Sequence, residues 1–217
     1  MTETVKKLWK NEYFQTIIML VLIVAIVFGF YYGSQLLLAT QYPALAVVTG
    51  SMCTVEGSQC DGWTHPFEHT LHIGDLIILQ GVNPADIKAD YPNSDIIVFH
   101  KPTNPEELIV HRVVVKEQKD GELYFRTKGD GNGVNRWPEI PETAEYDPWM
   151  VHEDLVVGKV VMRIPWIGHF VLFMHNSIGL PILIILIILI VIVEFVIPLF
   201  RSKKTASEPK KNVEQNV

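Results

Sequence analysis

Leu108-Ile109-Val110-His111-Arg112-Val113-Val114-Val115-Lys116-Glu117-Gln118-Lys119-Asp120-Gly121-Glu122-Leu123-Tyr124-Phe125-Arg126-Thr127-Lys128-Gly129-Asp130 is the stretch that decides the fold class. Two β-type runs, residues 108–116 and 123–128, flank Lys119-Asp120-Gly121, and an Asp-Gly pair supports the backbone angles of a tight hairpin. His111 therefore lies on a strand with a close neighbour. Working outward, runs of the same kind occur at 45–49, 75–80, 95–100 and 155–163, separated by Gly, Pro, Asn and Asp. The expectation is a mainly β, antiparallel domain with irregular loops. Residues 53–72 and 131–146 are too long and polar to be tight turns, and loops of that length are often functional or variable decoration.

Around this domain the charge pattern changes. The chain has 217 residues, 48% of them hydrophobic, with a mean hydropathy of +0.22. No Asp, Glu, Lys or Arg occurs from Tyr13 to Val55, and residues 16–38 are almost continuously apolar, long enough to cross ~30 Å of hydrocarbon. A second charge-free gap runs from Ile164 to Val193, and residues 178–200 are rich in Ile, Leu and Val with Glu194 near one end. The reading is a cytoplasmic segment 1–15, transmembrane helices at 16–38 and 178–200, an extracytoplasmic domain at 39–177 whose part 164–177 is interfacial, and a cytoplasmic tail at 201–217. Lys6, Lys7 and Lys10 before the first span, and Arg201, Lys203, Lys204, Lys210 and Lys211 after the second, place both termini in the cytoplasm. Residues 39–177 carry 10 Lys and Arg against 19 Asp and Glu, a balance that suits a translocated domain and disfavours nucleic-acid binding. A cleavable signal peptide is the competing reading, because Ala44-Leu45-Ala46 has the small-x-small form of a cleavage site; the apolar run, however, exceeds a signal h-region of ~7 to 15 residues.

Three elements carry candidate chemistry. Thr49-Gly50-Ser51-Met52 follows a β-type run about a dozen residues after the first span, which keeps Ser51 within ~40 to 45 Å of the bilayer even if the chain is fully extended. Gly50 permits close approach by a substrate backbone, and the Thr49 hydroxyl is placed to help bind an oxyanion. The second element is His111, which interrupts an aliphatic strand and titrates near neutral pH as a general base must. Third, Asp130 and Asp147 are each able to orient an imidazole, as in other Ser-His-Asp sites, although either also reads as a turn residue beside Gly or Pro. Cys53 and Cys60, both in the exported domain, are able to form a disulfide that closes a short loop just after Ser51, or to remain as two thiols. His65, His69 and His72 with those cysteines offer metal-ligating atoms, but their spacing fits no common zinc motif.

Taken in order, these elements resemble type I signal peptidases of the archaeal and endoplasmic-reticulum kind. The matching pieces are the first anchor, Gly50-Ser51-Met52, Gly74-Asp75-Leu76-Ile77, Asp95-Ile96-Ile97-Val98-Phe99, Val110-His111-Arg112-Val113, Thr127-Lys128-Gly129-Asp130, Val157-Gly158-Lys159-Val160-Val161 and Ile164-Pro165-Trp166-Ile167-Gly168. The resemblance implies Ser51 as nucleophile and His111 as general base, in place of the lysine that bacterial relatives use. Lys116 and Lys128 keep a Ser-Lys dyad open as an alternative, one that needs a desolvated lysine. The chain departs from the family pattern at Thr54, where proline is usual, in the insertion holding both cysteines, and at Arg136, where the family commonly has its aspartate. Asp147-Pro148-Trp149, eleven residues further on, resembles the family's continuation, so Asp147 or, failing that, Asp130 is the expected third member.

The expected function is a membrane-bound serine endopeptidase that cleaves signal peptides from exported proteins after small residues. The expected oxyanion donors are Thr49 and Ser51, and the expected substrate walls are Leu45, Ala46, Val47, Val48, Leu108, Ile109 and Val110. The expected partners are signal peptides of secretory preproteins, the lipid bilayer and the protein translocation channel, with no nucleic acid, no cofactor and no metal. The location is a cell membrane or the endoplasmic-reticulum membrane. Two alternatives are a non-catalytic tethered β module that binds a metal or partner through residues 53–72, and a peptidase of the same family with one dedicated substrate.

Overall fold

A computed structural model describes residues 9, 12–55, 60 and 70–196. The chain divides into two compact units, Met1–His169 and Phe170–Val217. The first contains helix α1, Glu12–Leu38. Within α1, Phe14–Leu38 is 25 residues long, apolar on all sides and unburied by protein. At 1.5 Å per residue it is long enough to cross a bilayer. Its end is tied to the domain that follows: Gly81 N–H donates to Leu38 O at 2.8 Å, Thr40 Oγ1 to Val157 O at 3.2 Å, and Leu79 N–H to Pro43 O at 3.0 Å.

That domain is a seven-stranded sheet built from β1 (Ala44–Ala46), β2 (Leu76–Gln80), β3 (Ile96–Lys101), β4 (Asn104–Lys119), β5 (Glu122–Lys128), β6 (Val151–His152) and β7 (Val156–Ile164). The spatial order is β1-β2-β7-β3-β4-β5-β6, with every neighbouring pair antiparallel. The expected antiparallel β domain is present, and the expected hairpin turns at Asp120 and Gly121, both with positive φ. Strand β6 has two residues and gives no periodic signal. Strand β1 is shorter than the expected run 45–49, because the chain leaves the sheet after Ala46 while Val47 stays bonded to Asp75 O and Gly74 N.

Central strand β3 is apolar on both faces because both are covered. Val98 joins a core cluster with Val47, Met52, Leu71, Ile77 and Leu79, while Ile97 and Phe99 join Ile87, Val113, Phe125 and Val151. Buried runs of this kind lose the polar alternation of a half-exposed strand. Strand β4 is 16 residues long and pairs with β3 along its first half and with β5 from Arg112 onward. The β5 side of residues 104–111 is thus left without a strand partner among the described residues.

The second unit contains the end of helix α2 (Ile167–His175) and helix α3 (Gly179–Val191), followed by a π-turn at Ile192–Val196. The expectation of a second transmembrane helix over 178–200 is not supported. Helix α3 has 13 residues, about 20 Å of rise, and continues directly into the π-helical residues Ile192–Val196, where the described residues end. Residues 167–175 and 179–194 satisfy the apolarity requirement together only as a pair bent by 94°. The break follows from local bonding at Asn176 and Ser177: Asn176 O accepts from Gly179 N–H, and Asn176 Oδ1 accepts from Ile178 N–H. Residues 197–200 lie outside the described part of the chain.

Candidate active site

Three separate segments converge. Ser51 stands in the turn after β1, which is closed by a hydrogen bond from Cys53 N–H to Gly50 O at 3.0 Å and plugged by Met52, fully buried in the first core cluster. His111 is carried by β4 and is 6% exposed. Asp147 lies in the β5–β6 connection, where its N–H donates to Thr127 O at 2.9 Å, so the end of β5 holds it. The His111 Nε2 to Ser51 Oγ distance is 3.0 Å, and His111 Nδ1 to Asp147 Oδ2 is 2.7 Å. Thr127 Oγ1 donates to the same Asp147 oxygen at 2.6 Å.

Asp130 is placed differently. Both its oxygens accept from Arg112, Oδ1 from Nε and Oδ2 from Nη2, each at 2.8 Å. Strand geometry explains the partition. Paired residues share a face, and the register Ile97 with His111 and Val113 with Thr127 puts His111 and Thr127 on one face. Arg112 and Lys128, paired with each other, point to the opposite face. Arg112 also donates to Ser94 O at 2.9 Å and lies 5.1 Å from the centre of the Trp137 ring. Burial pushes the Asp130 carboxyl above its ordinary value, against the lowering effect of the Arg112 hydrogen bonds and charge.

The connection between Lys128 and Asp147 is organised by two charged groups. Glu145 accepts from Val134 N–H, Asn135 N–H, Asn135 Nδ2 and Glu142 N–H, and these bonds hold its carboxyl down to about 2. Lys128 donates to Asn135 O at 2.7 Å from a buried position that lowers its ammonium pKa. Lys116 donates to Ala85 O and Ile87 O. Neither lysine considered for a dyad donates to Ser51 among the described residues. At Gly129 a Cβ would fall 2.4 Å from Ser51 O and 3.0 Å from His111 Nε2, so only glycine lets the end of β5 pass this close to the site.

A cleft of about 540 Å³ opens beside Ser51 and His111. Leu45, Ala46, Val47, Val48 and Thr49 line one side and Leu108, Ile109 and Val110 the other. Ile77, Val98, Lys101, Glu107 and Trp149 also reach it, residues that sequence patterning did not single out as walls. Lys101 donates to Glu107 at 2.8 Å and sits 5.4 Å from the centre of the Trp149 ring. Cys53 and Cys60 form a disulfide. His72 is buried beside Asp75, whose Oδ2 accepts from His72 N–H at 2.8 Å. His65 and His69 lie outside the described residues, and the described residues contain no group of three or more His, Cys, Asp or Glu able to hold a metal. Thr127, Arg112, Gly129 and Glu145 were missed as contributors to the site, because their roles depend on what the fold sets against them.

A serine, an imidazole and a carboxylate connected in this order can generate a nucleophile and stabilise the resulting imidazolium. No profile of a known protein family matches the chain. Individual proteins do. The signal peptidase complex catalytic subunit SEC11C of Homo sapiens is 28% identical over 172 residues, 79% of this chain and 77% of the human protein. The SEC11C protein of Mus musculus is 27% identical over the same shares. The signal peptidase complex catalytic subunit sec11 of Dictyostelium discoideum is 28% identical over 171 residues, 77% of this chain and 80% of its own. Over about four fifths of its length, the chain is similar to signal peptidase complex catalytic subunits.

Proposed function

We propose that this protein is a membrane-bound serine endopeptidase that removes signal peptides from exported proteins. What carries the reading is the Ser51–His111–Asp147 chain, with contacts of 3.0 and 2.7 Å, at the end of an apolar cleft. His111 Nε2 takes the Ser51 proton as Oγ attacks the carbonyl carbon of the scissile bond. Asp147 accepts the Nδ1–H, fixes the tautomer and stabilises the imidazolium, and Thr127 orients Asp147. Ser51 N–H and the Thr49 hydroxyl stabilise the oxyanion. His111 then protonates the leaving amine, and water, activated by the same imidazole, hydrolyses the acyl-enzyme.

The substrate enters as an extended strand between β1 and the open edge of residues 104–111, the β-addition mode in which backbone bonds give affinity and side-chain pockets give selection. Helix α1 anchors the domain, with the Lys6, Lys7 and Lys10 flank on the cytoplasmic side and the sheet on the far side of the membrane. Tethering keeps Ser51 where the cleavage site of a membrane-inserted signal peptide emerges, which raises the local concentration of substrate.

The test is processing of a signal-peptide-bearing precursor by the full-length protein in detergent or liposomes. Ser51→Ala and His111→Ala are each expected to lower turnover by roughly 10⁴-fold or more. Full activity in the Ser51→Ala protein overturns the mechanism.

A further inference from the structure

We propose that the Cys53–Cys60 disulfide is a positioning element for the nucleophile, acting on turnover and not on substrate binding. This rests on the reading of Ser51 as the nucleophile. The bridge packs directly on the turn that carries Ser51: a Cβ placed on Gly50 would meet Cys60 Cβ at 3.2 Å and Cys60 Sγ at 3.6 Å. Cys53 closes the same turn from the other side through its N–H to Gly50 O.

The bridge also links the turn to the segment that leads into β2. Cys60 O accepts from Ile73 N–H at 2.9 Å, and the next residue, Gly74, donates to Val47 O at 3.0 Å. On the opposite flank the turn meets the connection that carries Asp147. Gly131 N–H donates to Ser51 O at 2.9 Å, and Arg136 Nη1 donates to Thr54 O at 3.3 Å. Ser51 is therefore braced on two sides, by the loop of Asp147 and by the disulfide.

One observation separates this role from substrate binding, and a second limits the contribution to global stability. Neither cysteine lines the cleft, whose walls come from β1, β4 and their neighbours. The cross-link spans a sequence separation of 7, and a ring this short restrains the unfolded chain less than a long one does. Opening the bridge removes the surface against which Gly50 packs while leaving the turn hydrogen bonds in place. Ser51 Oγ then spends less time within reach of His111 Nε2, and a displacement of about 1 Å in a reacting group costs up to roughly 100-fold in rate.

The experiment compares the oxidised full-length protein with two altered forms. In one, dithiothreitol delivers two electrons and two protons to the bridge, ending as its own cyclic disulfide, and the two thiols are capped with iodoacetamide. The other is the Cys53→Ser/Cys60→Ser variant. Both are expected to show kcat lowered by roughly 10- to 100-fold with KM within about twofold and an unchanged circular-dichroism spectrum at the assay temperature, and reoxidation of uncapped reduced protein restores kcat. The proposal is overturned by a kcat within about twofold of wild type in the double variant, by a change confined to KM, or by a loss of activity that accompanies loss of the folded state. If the catalytic reading itself is wrong, the oxidised protein shows no cleavage dependent on Ser51, a result separate from all of these.

Discussion

Asp147 and Asp130 are both almost closed to solvent, with side chains 8% and 1% exposed, yet their partners have opposite character. Asp147 accepts from an imidazole that can gain and lose a proton, and from a hydroxyl. Asp130 accepts twice from a guanidinium whose charge is permanent. The difference arises at two consecutive residues of one strand. His111 and Arg112 point to opposite faces of β4, so the sheet delivers a titratable group to one aspartate and a fixed cation to the other. A carboxylate beside the imidazole is able to follow a proton-transfer cycle, whereas one beside the arginine serves to cement the loop that follows β5.

Substitution at Asp147 is the most severe way to break this contrast. Asp147→Asn keeps the shape but favours the wrong histidine tautomer, and turnover is expected to fall by roughly 10³- to 10⁴-fold with an unchanged melting temperature. Steady-state kinetics alongside a thermal melt reads both. Retention of more than a tenth of wild-type turnover would remove Asp147 from the mechanism.

Asp130→Asn is expected to give the complementary result. Removing one partner of a buried ion pair leaves Arg112 uncompensated and costs about 3–5 kcal/mol of stability. Activity per folded molecule is expected to stay within about tenfold of wild type, because Asp130 touches neither Ser51 nor His111 in the hydrogen-bond pattern. Denaturant unfolding paired with activity at low temperature distinguishes the two. A loss of turnover larger than that of Asp147→Asn, at full stability, would reverse the assignment.

The smallest effect concerns the support of Asp147 and depends on pH. Glu145 is held down from an ordinary 4.5 to about 2. A group with a depressed folded pKa contributes its stabilisation above the unfolded value and loses it as pH falls through the folded one. The loop around Val134 and Asn135 is therefore expected to keep its order above pH 4.5 and lose it progressively toward pH 2. Asp130 has the opposite sign, since its raised value makes its contribution decline as pH climbs from 3.8 through the folded pKa. Hydrogen exchange at the Val134 and Asn135 amides at pH 5 and pH 2.5 checks this, and equal protection at both would show that Glu145 does not organise the loop.

Several features were legible in the sequence because they depend on local pattern. The Asp120-Gly121 hairpin, the strand carrying His111 and the apolar run of α1 each follow from periodicity or turn chemistry within a few residues. For the second apolar run, 178–200, the structure does not support a span, because composition registers length and hydrophobicity but not the bend of 94° between residues 167–175 and 179–194. Arg112, Thr127 and Gly129 entered only as members of matching motifs, without roles, and Glu145 not at all, since nothing in their neighbours along the chain indicates what lies across the sheet.

By itself the sequence determined the antiparallel β character and the N-terminal apolar helix, since each is a matter of short-range pattern, whereas the expectation that Ser51 pairs with His111, 60 residues further on, rested on the resemblance to signal peptidases. The aspartate that meets His111 was decided by tertiary structure. That outcome depends on strand register, on the alternation of side chains across β4, and on a connection folded around Glu145 and Lys128 that returns Asp147 to the end of β5. Sequence separation carries no information about that return, because loop closure sets distance in space by bonds made within and across the loop.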